Sequence, residues 1–127
     1  MKRPIAKINN KEIYLDIGNY ENDKSLYLGL VDAEGKLYDE ITINFKDMAN
    51  IAMNYIYINN KISDGLIDYL KDKKIISDTL MYKRHSSGSY ELVKVDLDEL
   101  RYYDNDSVDR FENIYDKKYF STEVEEK

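Results

Sequence analysis

Short runs of alternating apolar and polar residues, joined in pairs by turn-forming residues, recur three times along the chain and most constrain its fold. A period of two is typical of strands that bury one face, and short polar loops between such runs predict antiparallel hairpins. Gly35 in the second loop suits a left-handed backbone position. The paired runs are 5–8 with 12–17, 26–31 with 37–45, and 80–85 with 90–95.

A further strand signal and three helix signals lie between and after these pairs. The run 55–58 is strand-like, whereas Met48 and Ile51 before it have helical spacing, and we interpret that stretch as a loose turn. Ser63 can cap a helix near 64–72 that ends in lysines. Asp96, three residues before a glutamate, predicts the start of a short helix.

The last helix signal lies near 107–116. Either Asp106 or Ser107 can cap this helix. Its apolar face would consist of Val108, Phe111, Ile114 and Tyr115, which follow helical spacing.

Together these patterns predict the α+β class, with one antiparallel-dominated β-sheet of hairpins and two to three short helices packed on it. A chain of 127 residues has the size of one domain. We expect a single α+β domain over residues 1–120. The acidic tail 121–127 has too little apolar surface to offset its ordering entropy, so we expect it to be flexible.

The composition narrows the class of protein. Cysteine is absent, which excludes disulfides, thiolate zinc sites and a cysteine nucleophile. No apolar run has the length of a signal peptide or a membrane span. We therefore expect a cytoplasmic protein that does not bind membranes.

The negative charge is concentrated near the C-terminus. The net charge is −6, and the acids and bases of residues 1–95 balance, so the whole surplus lies in residues 96–127. Acidity disfavours direct nucleic-acid binding, which depends on cations that neutralise phosphates. A protein partner is favoured instead.

The candidate partner-binding residues lie in this C-terminal quarter. The alternative is that these charges only keep the protein in solution. The candidates are five acids and two neighbouring tyrosines: Asp98, Glu99, Asp109, Glu112, Asp116, Tyr102 and Tyr103.

No motif indicates catalysis, a metal or a cofactor. His85 is the single histidine and stands next to two serines, but no nucleophile-elbow motif surrounds any serine, so we interpret His85 as a hairpin-tip residue with few packing partners. Asp104 could open a calcium loop, yet Val108 and Tyr115 occupy positions where oxygen ligands are needed. The glycines form neither a Walker loop nor a dinucleotide-binding turn. We expect no catalytic residue, no metal site and no cofactor.

Thirteen tyrosines are the most unusual feature of the composition. They could form a binding face, because tyrosine offers a large rigid area with a polar tip. The alternative is that they fit half-buried strand positions.

The order of the segments resembles a family of small bacterial proteins that are classed as a domain of unknown function. The likeness covers about residues 8–115. The resemblance implies a setting on plasmids, conjugative elements or phages of low-GC bacteria and no known activity. Its carriers are Gly18-Asn19-Tyr20, Leu26 to Val31, Glu34-Gly35, Thr42-Ile43-Asn44, Tyr57-Ile58-Asn59-Asn60, and Tyr90 to Leu97 with Leu100, Tyr103 and Asp104.

These observations favour a non-enzymatic protein-binding protein of a mobile element, either an inhibitor or an adaptor. Its sharpest version is an anti-defence inhibitor, such as an anti-CRISPR, whose acidic face imitates nucleic-acid phosphates. Two alternatives stay open. One is an accessory protein of conjugation or replication with a structural role, and the other is an enzyme whose site combines scattered Asp and Tyr residues with His85.

Overall fold

The computed structural model describes residues 2–45, 52–86 and 88–117. Asn9 and Asn10 turn the first hairpin with φ angles of 51° and 66°, and Gly35 turns the second with a φ angle of 84°. Both hairpins are confirmed, and they form one antiparallel sheet in the order β1-β2-β3-β4. Its strands are β1 (Ala6–Ile8), β2 (Lys11–Asn19), β3 (Leu26–Asp32) and β4 (Leu37–Glu40).

The predicted strand 37–45 is interrupted at Ile41, where the chain leaves this sheet for another. The Ile41 N–H donates to the carbonyl of Leu28 in β3 (3.0 Å), while the Ile41 carbonyl accepts from the N–H of Asn59 (2.9 Å). Ile41 is fully buried, so the chain bends inward here. The expectation of a single sheet is therefore corrected to two sheets that meet at Ile41.

The second sheet is also antiparallel and has the order β5-β6-β8-β7. It contains the predicted third hairpin and the predicted strand 55–58, and both are confirmed. Met48 and Ile51, which we assigned to a loose turn, lie outside the described residues. The strands are β5 (Thr42–Ile43), β6 (Tyr55–Ile58), β7 (Met81–His85) and β8 (Gly88–Lys94).

Helix α1 (Asp64–Asp72) confirms the predicted helix and its cap. The Ser63 hydroxyl accepts a hydrogen bond from the Leu66 N–H (3.3 Å). Ile67 and Leu70 are the buried residues of the helix, which pins α1 to the core through one face.

Helix α2 (Leu97–Asp116) joins the two C-terminal helices that the sequence predicted. Asp96 caps it as expected, because its Oδ1 accepts the N–H groups of Asp98 (3.0 Å) and Glu99 (3.2 Å). Asp104 interrupts it with non-helical φ and ψ angles of −160° and 80°.

Asp104, rather than Asp106 or Ser107, caps the second half of α2. Its Oδ1 accepts the Ser107 N–H (3.3 Å) and its Oδ2 the Ser107 hydroxyl (2.6 Å). The interruption leaves the Tyr103 carbonyl for another donor, the Arg3 N–H, at 2.7 Å. The earlier cap prediction is wrong because a non-local contact with the N-terminal segment stabilises the break at this aspartate.

The main core lies between the sheets and the helices. Both sheets contribute an inner face to it, and the helices contribute their apolar faces. It includes Leu15, Leu28, Leu30, Ile56, Ile58, Val93, Leu70, Leu100, Val108 and Phe111, which are nearly inaccessible to solvent. The α+β class is confirmed.

No helix in the described ranges is long and apolar enough to cross a membrane. The predicted domain boundary at residue 120 and the predicted tail 121–127 lie outside the described residues.

Candidate functional site

The first two predicted acids lie at the start of α2. Asp98 is exposed, Glu99 is partly exposed, and both occupy the first turn of the helix. Acids stabilise a helix at this end because the unpaired N–H groups there carry partial positive charge. These two residues therefore have a structural role in addition to the predicted contact role.

The next two predicted acids are bound by an arginine of the same helix. Nη1 of Arg101 donates to Asp109 Oδ1 (2.6 Å) and to Asn105 Oδ1 (2.9 Å). Its Nη2 donates to Glu112 Oε1. The hydrogen bond to Asp109 and the charge of Glu112 raise the pKa of Arg101 above its ordinary value. The predicted acidic face is thus partly neutralised from within, while Asp116 lies exposed further along the helix.

The two predicted tyrosines point to different environments. Tyr102 is 59% exposed, and the Arg3 guanidinium lies 4.6 Å from the centre of its ring. Tyr103 is 8% exposed and belongs to the core, and burial raises the pKa of its phenol. Of this pair, Tyr102 alone can contact a partner.

Asp98 and Glu112 also border a groove of about 650 Å³. Three lysines from the end of α1 and from β8 line it together with several carboxylates. Because the two signs of charge are interspersed, the groove does not favour an anion or a cation. The charged lining residues are Lys71, Lys74, Lys94, Asp78, Asp96, Asp98 and Glu112.

An aromatic cluster, consisting of Phe45, Tyr57, His85 and Tyr90, covers the face of the second sheet that points away from the main core. Phe45 lies over this face: its ring centre is 4.7 Å from that of Tyr90 and 5.8 Å from that of Tyr57. Tyr57 and Tyr90 are buried. These two tyrosines therefore fill a small second core. This agrees with the alternative that tyrosines serve to fit strand positions rather than to form a binding face.

His85 belongs to this cluster. Its ring stacks on Phe45 with centres 4.1 Å apart and planes inclined by 27°. The expectation that His85 has few packing partners is wrong, because the loop after β5 brings Phe45 across the sheet. Of the two serines next to it, Ser86 is exposed in the turn, and Ser87 lies outside the described residues.

Strand β7 and the residue before it present an exposed apolar surface that the sequence prediction missed. Leu80, Met81 and Tyr82 expose 52%, 47% and 64% of their surfaces. Among the described strands, β7 is the last of its sheet, and the next residues, Lys83 and Arg84, are exposed as well. The available signal was local: three consecutive apolar residues break the alternation expected of a strand with one buried face.

Strand β4, at the edge of the first sheet, resembles β7 in composition but differs in regularity. Leu37 and Tyr38 expose 56% and 50% of their surfaces. The pairing of β4 with β3 shifts by one residue at this point, which is a β-bulge. β7 pairs with β8 without any such shift. Because a bulge bends a strand and disrupts its ladder, β4 is a poorer template for a further strand than β7.

Within the described part of the chain, no group of three or more His, Cys, Asp or Glu residues is arranged to hold a metal ion. Among the surfaces described above, the edge of β7 offers the largest variety of contacts: backbone hydrogen-bonding groups, apolar side chains and two cations.

A protein-family model described as "Domain of unknown function (DUF4313)" matches residues 14–115. The match covers about four fifths of the chain and falls within the segment that carries the resemblance seen in the sequence. No curated protein and no solved structure matches the chain.

Proposed function

Because the chain belongs to the DUF4313 family, whose description assigns no activity, we propose a function from its own surface: a non-enzymatic protein-binding protein, an inhibitor or adaptor, that contacts its partner through the edge of β7. The observation that carries this proposal is the run Leu80-Met81-Tyr82, which is about half exposed at the start of an unbulged edge strand. Exposed apolar residues on an open strand edge are typical of a surface that is covered by another chain.

The chemistry of this edge favours a protein over other partners. Backbone groups along an edge strand can be paired by an extended segment of a second protein, and the side chains beside them select its sequence. The overall charge of −6 opposes association with nucleic acid or with an anionic membrane.

The resemblance in sequence adds a setting on a mobile element to this proposal. An anti-defence inhibitor, which the small size and acidity of the chain suggest, is its sharpest form. The acidic residues of α2 are the alternative contact surface. Since Arg101 holds Asp109 and Glu112, that alternative depends mainly on Asp98, Glu99, Asp116 and the exposed Tyr102.

The proposal can be tested by capture from host lysate with matched variants. The β7 variant carries Met81→Ser and Tyr82→Ser, and the control carries Leu37→Ser and Tyr38→Ser in β4. Both remove an exposed aliphatic residue and an exposed tyrosine from an edge strand. Unchanged unfolding midpoints would show that both variants are folded.

We expect a protein that wild type and the β4 control capture and that the β7 variant loses. A third variant, Asp98→Asn with Glu99→Gln and Asp116→Asn, tests the acidic alternative. Equal capture by wild type and the β7 variant, with loss confined to this third variant, would move the contact to α2 and overturn the proposal.

A further inference from the structure

We infer that the partner of β7 is a different protein that contributes an extended segment with two adjacent acidic residues, added as a new strand beside Met81–His85. This inference rests on the function proposed above and specifies the chemistry of its partner. It follows from the regularity of β7, from the position of its charges, and from the exclusion of a second copy of the chain.

The backbone of β7 is suited to pairing. Its register with β8 is continuous from Met81 opposite Leu92 to His85 opposite Gly88. On an edge strand, every second residue directs its N–H and C=O groups away from the sheet, where an added strand can bond them. A regular strand offers these groups at the spacing that a partner strand requires.

The two cations of β7 lie on opposite faces of the sheet. Lys83 and Arg84 are consecutive and both exposed, and consecutive strand residues point to opposite faces. Residues of an added strand that lie beside them would also be consecutive. Opposite charges directly across from each other stabilise strand pairing, so two adjacent acids in the partner match this pair.

The residues that surround Lys83 and Arg84 indicate what should flank the two acids in the partner segment. Lys83 shares its face with Met81 and with the aromatic cluster, because it lies opposite Tyr90. Arg84 shares its face with Tyr82, whose cross-strand neighbour is Glu91. Glu91 lies on β8, one strand further from the partner, so Arg84 is the charge nearest to an added strand on this face. The partner segment is therefore apolar opposite Met81 and Tyr82, and acidic opposite Lys83 and Arg84.

A second copy of the chain does not fit this description. Antiparallel pairing of two β7 strands over their full length would place Lys83 directly opposite Lys83, and like charges across a strand pair are destabilising. The β4 strand of a second copy carries Asp39 and Glu40, but its edge is bulged at the residue before them, Tyr38. The Glu40 carbonyl is moreover bound by Nδ2 of Asn59 (3.3 Å).

The test uses the full chain and three short labelled peptides with a common framework of Val, Ile and Thr. Their two central residues are Glu-Asp, Gln-Asn or Lys-Lys, and fluorescence anisotropy at low salt measures binding. We expect the wild-type protein to bind the acidic peptide about tenfold more tightly than the lysine peptide. The variant with Lys83→Glu and Arg84→Glu should invert this order, whereas a control with Lys7→Glu and Lys61→Glu, which changes the net charge equally, should keep it.

Equal binding of the acidic and lysine peptides, or an unchanged order in the Lys83 and Arg84 variant, would overturn the inference. Self-association of the wild-type chain that the same variant abolishes would overturn it in favour of a second copy. The proposed function is tested separately by the capture experiment. It is wrong if capture of the partner does not depend on Met81 and Tyr82. If that dependence holds while the peptides show no charge preference, β7 stays the contact and the acidic partner is wrong.

Discussion

The carboxylate of Asp104 binds both the backbone N–H and the hydroxyl of Ser107, at 3.3 Å and 2.6 Å, in the middle of α2. Since Asp104 is buried and caps the second half of the helix, we expect Asp104→Ala to lower the free energy of unfolding by about 1–2 kcal/mol. Asp104→Asn retains a capping oxygen and should lose much less. Urea denaturation of the three proteins checks this, and equal losses for Ala and Asn would show that capping is not the reason.

The stacking of His85 on Phe45 predicts a packing role for the histidine. His85→Ala should lower the free energy of unfolding by about 0.5–1.5 kcal/mol, because it removes one ring of an aromatic pair. His85→Phe keeps a ring in this position and should stay close to wild type. Thermal unfolding measures both effects. If both variants match wild type, the histidine contributes nothing to the aromatic cluster.

The binding of Asp109 and Glu112 by Arg101 changes what their removal should do. Replacing them by Asn and Gln removes both ion pairs, and we expect a loss below about 1 kcal/mol, since such partly exposed pairs contribute little. The loss should shrink as salt rises. Asp116→Asn is the control: an acid at the C-terminal end of a helix is unfavourable, so this change should be neutral or slightly stabilising. A loss that does not respond to salt would indicate packing rather than charge.

The turn between β3 and β4 gives a pH-dependent prediction. The N–H of Lys36, and after it that of Glu34, donate to Asp32 Oδ1 and lower the pKa of Asp32 below its ordinary value of 3.8. A lowered folded-state pKa means that the carboxylate stabilises the fold above the unfolded-state pKa and loses this effect as pH falls through the folded-state pKa.

Wild type should therefore exceed Asp32→Asn in stability at neutral pH, and the two should converge on acidification below the ordinary value. An NMR titration of the Asp32 side chain gives the folded-state pKa directly. A midpoint at or above 3.8 would contradict the assigned hydrogen bonds.

Gly29 in β3 leaves room for the ring of Tyr27. A Cβ at Gly29 would collide with the Tyr27 hydroxyl and lie 2.9 Å from Cζ. Gly29→Ala should therefore displace the ring, and because this ring is the far end of a partly exposed side chain, we expect a cost of about 1 kcal/mol. In a Tyr27→Ala background the same substitution should cost much less. A double-mutant cycle measures this coupling, and additive effects would show that the ring does not restrict position 29.

Local patterns predicted the features that local contacts determine. The three hairpins, the Ser63 cap and the Asp96 cap each depend on residues within a few positions of one another, and the structure confirms them. The interruption at Ile41 depends on hydrogen bonds to Leu28 and Asn59, which are distant in sequence.

The candidate surfaces were less predictable for the same reason. Arg101 reaches Asp109 and Glu112 across eight and eleven residues, beyond the three- or four-residue spacing of ordinary helix pairs. The apolar run 80–82 was a local sign that β7 is not an ordinary strand with one buried face. Its exposure, however, follows from its place at the end of the strand order, which no local pattern specifies.

The crossing at Ile41, where the chain passes from the first sheet to the second, also limits how sequences of this family can diverge. Because one residue supplies hydrogen bonds to β3 and to the segment after β6, neither sheet is a module that recombination could exchange without remaking the other. Variation in length should instead accumulate in the turns, such as residues 33–36, where an added residue leaves this crossing intact. The same reasoning makes Ile41 a poor place to divide the chain into complementing fragments, since the break would fall between its hydrogen bonds to β3 and to Asn59.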